Sequence, residues 1–223
     1  MKSIFIALLM IYSISAFGQT HFLGIKGGIN WSNVDTDVSI YSNRDNRIGF
    51  SGGLTYEYHF KKPYFVAGAD LLYAQKGFRI EKYFPNEGEN VGGNLKIINN
   101  YNYLSLPLKG GVVIGEKITG FVMLGLVPSR VIKAESILSL QFSDGRKDEI
   151  NTDIIDKVTK IDFAGLAEIG GSILIGGRLF IITSLVYQRS FTTITNSNYI
   201  PNNEVRHYNT TLSIGLKYAL KNE

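Results

Sequence analysis

Residues 208–220 read Tyr-Asn-Thr-Thr-Leu-Ser-Ile-Gly-Leu-Lys-Tyr-Ala-Leu, and two kinds of side chain alternate along them. From Leu212 to Leu220 every second residue is apolar or aromatic, and the residues between are small, polar or charged. A period of two is that of a β-strand whose two faces meet different surroundings. Residues 47–60 repeat the alternation, with Ile48, Phe50 and Leu54 on one face. The chain is therefore expected to be built from two-sided strands.

Similar segments recur along the whole chain and predict eight strands. Their expected spans are 22–34, 47–60, 64–79, 100–115, 118–134, 158–175, 178–192 and 206–220. In two of these strands the sequence does not show which residues share a face. The segment around residues 120–127 is almost uniformly apolar, and Phe163, Leu166 and Ile169 do not keep a strict period of two.

The connections between these strands predict the topology. Tight turns are expected at residues 61–63, 115–117 and 176–177, and long polar loops near 35–46, 80–99, 135–157 and 193–205. Short turns on one side, long loops on the other and an even strand number are typical of bacterial outer-membrane barrels. We therefore expect an all-β fold, an eight-stranded antiparallel up-and-down transmembrane β-barrel with short periplasmic turns and long extracellular loops.

The loop at 135–157 carries its own signal. Asp144-Gly145 is a strong hairpin dipeptide, so strands five and six are expected to extend beyond the membrane as a hairpin. A short helix within residues 149–160 is the alternative. Loops are where binding residues concentrate, and this one is the expected contact site for a protein or surface ligand.

A soluble lipid-carrier barrel would share the alternation but place its apolar face inside. The polar face here is mostly Gly, Ser, Thr and Asn with isolated charges, and only 19% of all residues are charged. A water-facing exterior normally carries more Lys and Glu, so the polar face is expected to line a narrow lumen. Aromatic residues near the strand ends predict two interfacial girdles: Tyr56, Tyr58, Phe60 and Tyr218 on the short-turn side, and Trp31, Phe78, Phe191 and Tyr208 on the other.

The N-terminal residues have the pattern of an export signal. Lys2 precedes an apolar run over residues 4–17, which ends in Ala16-Phe17-Gly18. This run is shorter than the roughly 20 residues of a membrane-spanning helix and matches a cleavable signal peptide. We expect residues 1–18 to be the signal peptide and residues 19–223 to be the barrel domain, exported to the cell outer membrane.

The amino-acid composition limits the kinds of binding site and partner that the chain can have. The chain has no cysteine, which excludes disulfides and thiolate sites, and its net charge of +4 is dispersed along the sequence. Nucleic-acid binding usually needs a concentrated basic patch, so no nucleic acid is expected as a partner. Residues 35–39 begin like a calcium loop but lack its glycine and terminal glutamate, and we expect neither a metal nor a cofactor.

Charged residues on the polar faces form the candidate site. The set predicted to face the lumen is Lys26, Glu57, Asp70, Lys109, Arg178 and Lys217. These residues fit either a selective path through the barrel or a plug of ion pairs. Eight strands leave an interior just wide enough for side chains, and buried charges are costly unless paired. We therefore expect a plug and no open pore, with a narrow channel for small solutes or ions as the alternative.

A lipid A or phospholipid hydrolase is a further alternative. His207 and Ser190 are expected near the outer ends of neighbouring strands, and Glu204 is placed to orient the histidine. No nucleophile motif of the G-x-S-x-G type supports this trio. We therefore expect no catalytic residues and no enzyme.

Several short motifs are shared with a known family. They are residues 24–30 (Gly-Ile-Lys-Gly-Gly-Ile-Asn), 71–78 (Leu-Leu-Tyr-Ala-Gln-Lys-Gly-Phe), 103–109 (Tyr-Leu-Ser-Leu-Pro-Leu-Lys), 162–165 (Asp-Phe-Ala-Gly) and 212–218 (Leu-Ser-Ile-Gly-Leu-Lys-Tyr). With them the mature chain resembles the PorT-like outer-membrane β-barrel family of Gram-negative bacteria. The resemblance implies an outer-membrane barrel of similar size, and most members of that family have no assigned activity. The polar residues 221–223 depart from the family's usual ending.

These observations predict a non-enzymatic outer-membrane barrel with a structural or loop-mediated binding role and a side-chain-filled lumen. Its expected partners are outer-membrane lipids and, during insertion, the barrel-assembly machinery.

Overall fold

The computed structural model describes residues 20–36, 44–60, 64–85, 92–196 and 204–220. The expected signal peptide, the turn at 61–63 and the C-terminal residues 221–223 lie outside them. Ten strands lie within these residues: Thr20–Thr36 (β1), Arg44–His59 (β2), Phe65–Phe84 (β3), Gly93–Ser105 (β4), Leu108–Gly115 (β5), Ile118–Phe142 (β6), Lys147–Asp153 (β7), Ile161–Gly176 (β8), Leu179–Ser190 (β9) and Val205–Ala219 (β10). A 3-10 turn at Ile155–Lys157 separates β7 from β8. No helix in the described part of the chain is long and apolar enough to cross a membrane.

The strands form one antiparallel sheet that closes on itself. Each barrel strand pairs with its neighbours in the chain, and β1 closes the ring by pairing with β10 from Phe22–Ala219 to Thr36–Val205. The expected strand 100–115 is two strands, β4 and β5, because Pro107 has no backbone N–H to continue the ladder. Both pair with β3 and β6, so they occupy a single position in the wall. The prediction of an eight-stranded up-and-down barrel is confirmed.

The two faces of the wall are those that the alternation predicts. In β10 the side chains of Leu212 and Ile214 are 50% and 65% exposed, whereas Ser213 and Lys217 are buried. The structure also assigns the faces that the sequence left open. In β6, Phe121 and Met123 point inward and the residues between them outward; in β8, Leu166 points inward and Phe163 outward. Phe78, expected in an outer girdle, is instead buried at 2% exposure inside the barrel.

Two of the expected long loops are largely strand. β3 continues to Phe84, β4 begins at Gly93 and β6 continues to Phe142. The described residues within 80–99 and 135–157 therefore form most of a four-stranded sheet, β3–β4–β6–β7, above the barrel. We call this sheet the extension. Its strands were missed because both faces carry polar residues, which weakens the period-two signal. The hairpin predicted at Asp144-Gly145 is confirmed, with Gly145 at φ +91°.

Close approach of neighbouring strands requires glycine at several inward positions. A Cβ on Gly53 would collide with the carbonyl oxygen of Leu71 on the adjacent strand, and one on Gly111 with that of Val122. At Gly120, in contrast, a Cβ would meet no atom within 4 Å. Glycine at positions 53 and 111 therefore serves the packing of neighbouring strands, as glycine does at tight bends of barrels.

Apolar side chains close the loop-side end of the lumen. The buried members of this cover are Val34, Phe78, Ile80, Tyr101, Tyr103, Val131, Ala134, Val158, Ile194 and Val205. Two connecting segments hold it in place, because Val158 bridges to Thr195 and the Thr159 N–H donates to the Ile194 carbonyl at 2.7 Å. A smaller apolar cluster of Val66, Val113, Phe121, Met123 and Ile182 lies toward the short-turn end.

Candidate functional site

Two lysines and two carboxylates meet inside the barrel. Lys26 Nζ lies 2.5 Å from Asp70 Oδ2 and 3.6 Å from Glu168 Oε1, and Lys109 Nζ lies 3.0 Å and 2.8 Å from the same two carboxylates. The four side chains come from β1, β3, β5 and β8, so the contacts cross the lumen. At most 7% of any of these side chains is exposed. We call this cluster the central square.

Hydroxyl groups complete the shell of the central square. The Thr55 hydroxyl donates to Asp70 Oδ1 at 2.6 Å, and the Ser184 hydroxyl donates to Glu168 Oε1 at 2.7 Å. Each carboxylate therefore accepts contacts from two lysines and one hydroxyl. Buried charges are tolerated when they are paired and hydrogen-bonded in this way, and removal of one partner leaves a costly unpaired charge.

A second ion pair lies toward the short-turn end. Lys217 Nζ is 2.8 Å from Glu57 Oε2, and His59 Nε2 is 2.9 Å from the same oxygen. The lysine ammonium also lies over the ring of Phe22, 4.9 Å from its centroid. Lys217 and Glu57 are buried, and with Phe22 they lie inside the barrel below the central square.

A third ion pair lies beneath the loop-side cover. Asp162 faces Lys76 at 3.4 Å and accepts hydrogen bonds from Ser190 at 2.9 Å and Thr192 at 2.5 Å. The ammonium of Lys76 lies 5.0 Å from the centroid of the Tyr103 ring. Across the three tiers, four lysines face four carboxylates in the described lumen.

A small cavity lies beside the central square. A cavity of about 20 Å³ borders Lys26, Asp70 and Ser213, and polar side chains such as Gln188 contribute to its wall. A space of this size holds roughly one water molecule and no larger solute.

The structure places five of the six predicted lumen residues inside the barrel: Lys26, Glu57, Asp70, Lys109 and Lys217. The placement of Arg178 was wrong. It is exposed on the β8–β9 turn, directly after Gly177, whose φ of +56° lies in the left-handed region, and so it does not lie within the packed lumen.

Sequence reasoning missed Lys76, Asp162 and Glu168 as lumen residues. A period of two that begins at Asp162 does put Leu166 and Glu168 on one face, and this signal was available. It was obscured because the inward face of β8 mixes apolar and charged side chains, which are equally acceptable in a packed interior.

The trio expected for a hydrolase is not assembled. His207 is 1% exposed and packs edge-on against the rings of Tyr101 and Tyr103, at centroid distances of 5.1 Å and 5.8 Å. The Ser190 hydroxyl donates to Asp162, and Glu204 forms an ion pair with Arg206 at 2.7 Å. Within the described ranges, no hydrogen bond joins the histidine to the serine or the glutamate. The same residues contain no group of three or more His, Asp or Glu side chains arranged to hold a metal ion.

The extension carries charges of both signs on its outer face. Glu81 pairs with Arg79 and with Lys96, each at 3.5 Å. At the tip, the backbone N–H and the guanidinium of Arg146 both bond Asp144, which lowers the pKa of that carboxyl. The extension therefore presents a polar, hydrogen-bonded surface above the barrel.

The family to which this barrel belongs follows from the chain's sequence profile. Residues 17–196 match the outer membrane protein beta-barrel domain family. The chain is a member of this family. The match includes the central square and the extension, and the barrel is completed by β10, which lies beyond it.

Solved structures similar to this outer-membrane barrel share little sequence with it. The Neisserial surface protein NspA is 10% identical, with a TM-score of 0.43 and coverage of 91% of this chain and 99% of that one. The attachment invasion locus protein Ail of Yersinia pestis is 14% identical, with a TM-score of 0.36 and coverage of 89% and 99%. The outer membrane enzyme PagL is 9% identical, with a TM-score of 0.36 and coverage of 87% and 98%. No curated protein sequence matches this barrel significantly.

Proposed function

We propose that this outer-membrane barrel is a non-enzymatic protein with a closed lumen, and that its role is structural or is carried by binding at the extension. The observation that supports this most strongly is the central square. Lys109 of β5 and Lys26 of β1 both contact the carboxylates on β3 and β8, so charged side chains bridge the interior between strands that are not neighbours in the wall.

A closed lumen is consistent with the energetics of ion passage. A hydrated ion would have to separate the ion pairs of the central square and then displace the apolar cover around Val34 and Tyr103. Separation of buried partners costs about 3–5 kcal/mol for each pair that loses one member. The apolar cover offers no compensating contacts for an ion.

The contacts of His207 support a structural role in place of hydrolysis. Its ring lies within the apolar cover, and the Ser190 hydroxyl is engaged by a carboxylate of the third ion pair. A nucleophile needs a base within hydrogen-bond reach, and this arrangement supplies a carboxylate with a lysine partner instead.

We also propose that the chain is exported to the outer membrane and that it belongs to the PorT-like subgroup of outer-membrane barrels. The export pattern of residues 1–18 and the motifs at 24–30 and 103–109 support a PorT-like barrel of a Gram-negative outer membrane. The exposed apolar belt of the wall would contact membrane lipids, and the barrel-assembly machinery would insert the chain. The part of the extension within residues 135–157 is the proposed contact site for a protein or surface ligand.

Conductance in planar lipid bilayers tests the closed lumen. Purified, refolded protein is expected to give no discrete conductance steps. Steps in the wild-type protein that change when Glu57→Gln or Lys109→Met is introduced would instead establish the narrow channel.

Incubation with labelled lipid A and phospholipids tests the absence of catalysis. We expect no lipid product from the wild-type protein. A product that is formed by the wild type and lost in His207→Ala would replace this proposal with a hydrolase.

A further inference from the structure

Strand β7 forms an open edge of the extension. Over the described residues, Lys147–Asp153 pairs with β6 and with no other strand, and all seven residues of β7 are exposed. Alternate residues of an antiparallel edge strand direct their N–H and C=O groups away from the neighbouring strand. Such an edge can accept a further strand through main-chain hydrogen bonds.

An apolar row runs across the extension and ends at this edge. The paired positions Ile80–Ile97, Ile97–Leu138 and Leu138–Ile150 place four apolar side chains side by side on the inner face. Exposure rises along the row from 3% at Ile80 to 55% at Ile150. The row therefore stops at β7 with its last member half uncovered.

The sequence of β7 is complementary to itself when it is read in the opposite direction. In an antiparallel pair of two β7 strands centred on Ile150, the two isoleucines face each other and continue the apolar row. At each end of the pair Lys147 of one strand faces Asp153 of the other, and between them the acidic residues face Asn151 or Thr152. Opposite charges at facing positions stabilise such a pair, and like charges destabilise it.

Other registers lack this complementarity. A slide of two residues in one direction places Glu149 opposite its own copy, and a slide in the other places Glu149 opposite Asp153 at both ends. A slide of one residue would turn the apolar row to the wrong face of the partner. The side chains of β7 thus favour the register centred on Ile150.

We propose that β7 pairs antiparallel with β7 of a second copy of this chain, in the register centred on Ile150. Because the partner strand runs in the opposite direction, its barrel also points the opposite way. The two copies therefore sit in two facing membranes, and the contact is a homotypic adhesion between them. The inference rests on the proposed binding role of the extension.

The length of β6 allows such a contact. Arg130 is the last residue of β6 that pairs with the barrel strand β8, and Leu138 lies opposite Ile150. From Arg130 to Leu138 the strand rises roughly 26 Å, at about 3.3 Å per residue. The centre of the proposed contact is thus held clear of the barrel wall.

Clustering of proteoliposomes tests the proposal. Vesicles of zwitterionic phospholipid that carry the wild-type protein are expected to cluster, as measured by light scattering and by energy transfer between two dye-labelled populations. Lys147→Asp places Asp opposite Asp at both ends of the pair, and Asp153→Lys places Lys opposite Lys. Each single variant should cluster roughly tenfold less than the wild type, because two favourable pairs become repulsive.

Combining the two variants, so that opposite charges face each other again, provides a control. Vesicles with Lys147→Asp mixed with vesicles with Asp153→Lys should recover clustering between the two populations, because each end of the mixed pair again joins an acidic side chain to a basic one. The double variant should recover clustering with itself for the same reason. Lys82→Asp, on β3 at the far side of the extension, is the matched control and should cluster like the wild type.

Three outcomes would overturn the proposal: wild-type vesicles that do not cluster, single variants that cluster like the wild type, or wild-type vesicles that cluster equally with protein-free vesicles. Heat-modifiable mobility of each variant on gels establishes that its barrel is folded. Conductance measured across the same vesicles separates the closed lumen from the β7–β7 contact. Vesicles that neither conduct ions nor cluster would contradict the β7–β7 contact and agree with the closed lumen.

Discussion

Replacement of Lys109 by methionine removes one corner of the central square and keeps the length of the side chain. The lysine ammonium lies 3.0 Å from Asp70 and 2.8 Å from Glu168, with 1% of the side chain exposed. At an effective dielectric constant of about 20, the Coulomb energy of each contact is roughly 6 kcal/mol before desolvation is subtracted. Loss of one partner of a buried pair costs about 3–5 kcal/mol in total. Because Lys26 remains beside both carboxylates, we expect a loss of about 3 kcal/mol.

Urea unfolding in lipid vesicles measures this loss. Trp31 is the single tryptophan of the chain and lies on β1, so its fluorescence reports on barrel unfolding. The matched control is Lys96→Met, which removes a half-exposed lysine that pairs with Glu81 at 3.5 Å. An exposed pair of this kind contributes at most about 1 kcal/mol.

A double variant tests the coupling between the two charges. Lys109→Met combined with Glu168→Gln should lose less free energy of unfolding than the sum of the single variants, because neither charge is then left without its partner. If Lys109→Met lowers the free energy of unfolding by no more than Lys96→Met, the central square is not a set of buried, mutually dependent charges and does not plug the lumen.

Three further variants address the wall, the turn and the loop-side tier. Gly53→Ala should reduce the yield of heat-modifiable folded protein because its Cβ meets the neighbouring backbone, whereas Gly120→Ala should fold normally; equal yields would refute the close approach. Arg178→Ala should change the free energy of unfolding by less than about 0.5 kcal/mol, since the side chain is exposed on a turn. A larger loss of this free energy in urea unfolding would show that Arg178 is a buried lumen residue. Asp162→Asn should destabilise the barrel by about 3 kcal/mol, because Lys76 loses its buried partner. It should also speed proteolysis at residues 192–196, because the Thr192 hydroxyl donates to the Asp162 carboxylate. Unchanged unfolding and cleavage would show that Asp162 does not hold this segment in place.

The barrel wall was predictable because the bilayer imposes one environment on all of its outward faces. Strands such as β2 and β10 carry an unbroken alternation, so their spans and orientation followed from sequence alone. The inward residues Lys26 and Glu57 were found by the same rule.

Outside the membrane, the alternation of apolar and polar residues no longer identifies the strands. The extension has water on one side and a partly polar interior on the other, so β7 and the ends of β3 and β6 showed no clean period. Arg178 was misplaced because a strand pattern does not locate the residue at which a turn begins. The pairing of Asp162 with Lys76 depends on which strands face each other across the lumen, and the order of residues in one strand does not contain that information.

The orientation of β10 decides whether the apolar face of the barrel meets lipid, and it can be measured with single cysteines because the chain has none of its own. Single cysteines at positions 211–216, each carrying a spin label in a folded barrel in vesicles, report contact with lipid through collisions with dissolved oxygen. High oxygen accessibility is expected at 212, 214 and 216, where the native side chains are exposed, and low accessibility at 211 and 213, where they are buried. Uniform accessibility along the strand, or high values at 211 and 213 instead, would contradict a barrel whose apolar face meets hydrocarbon.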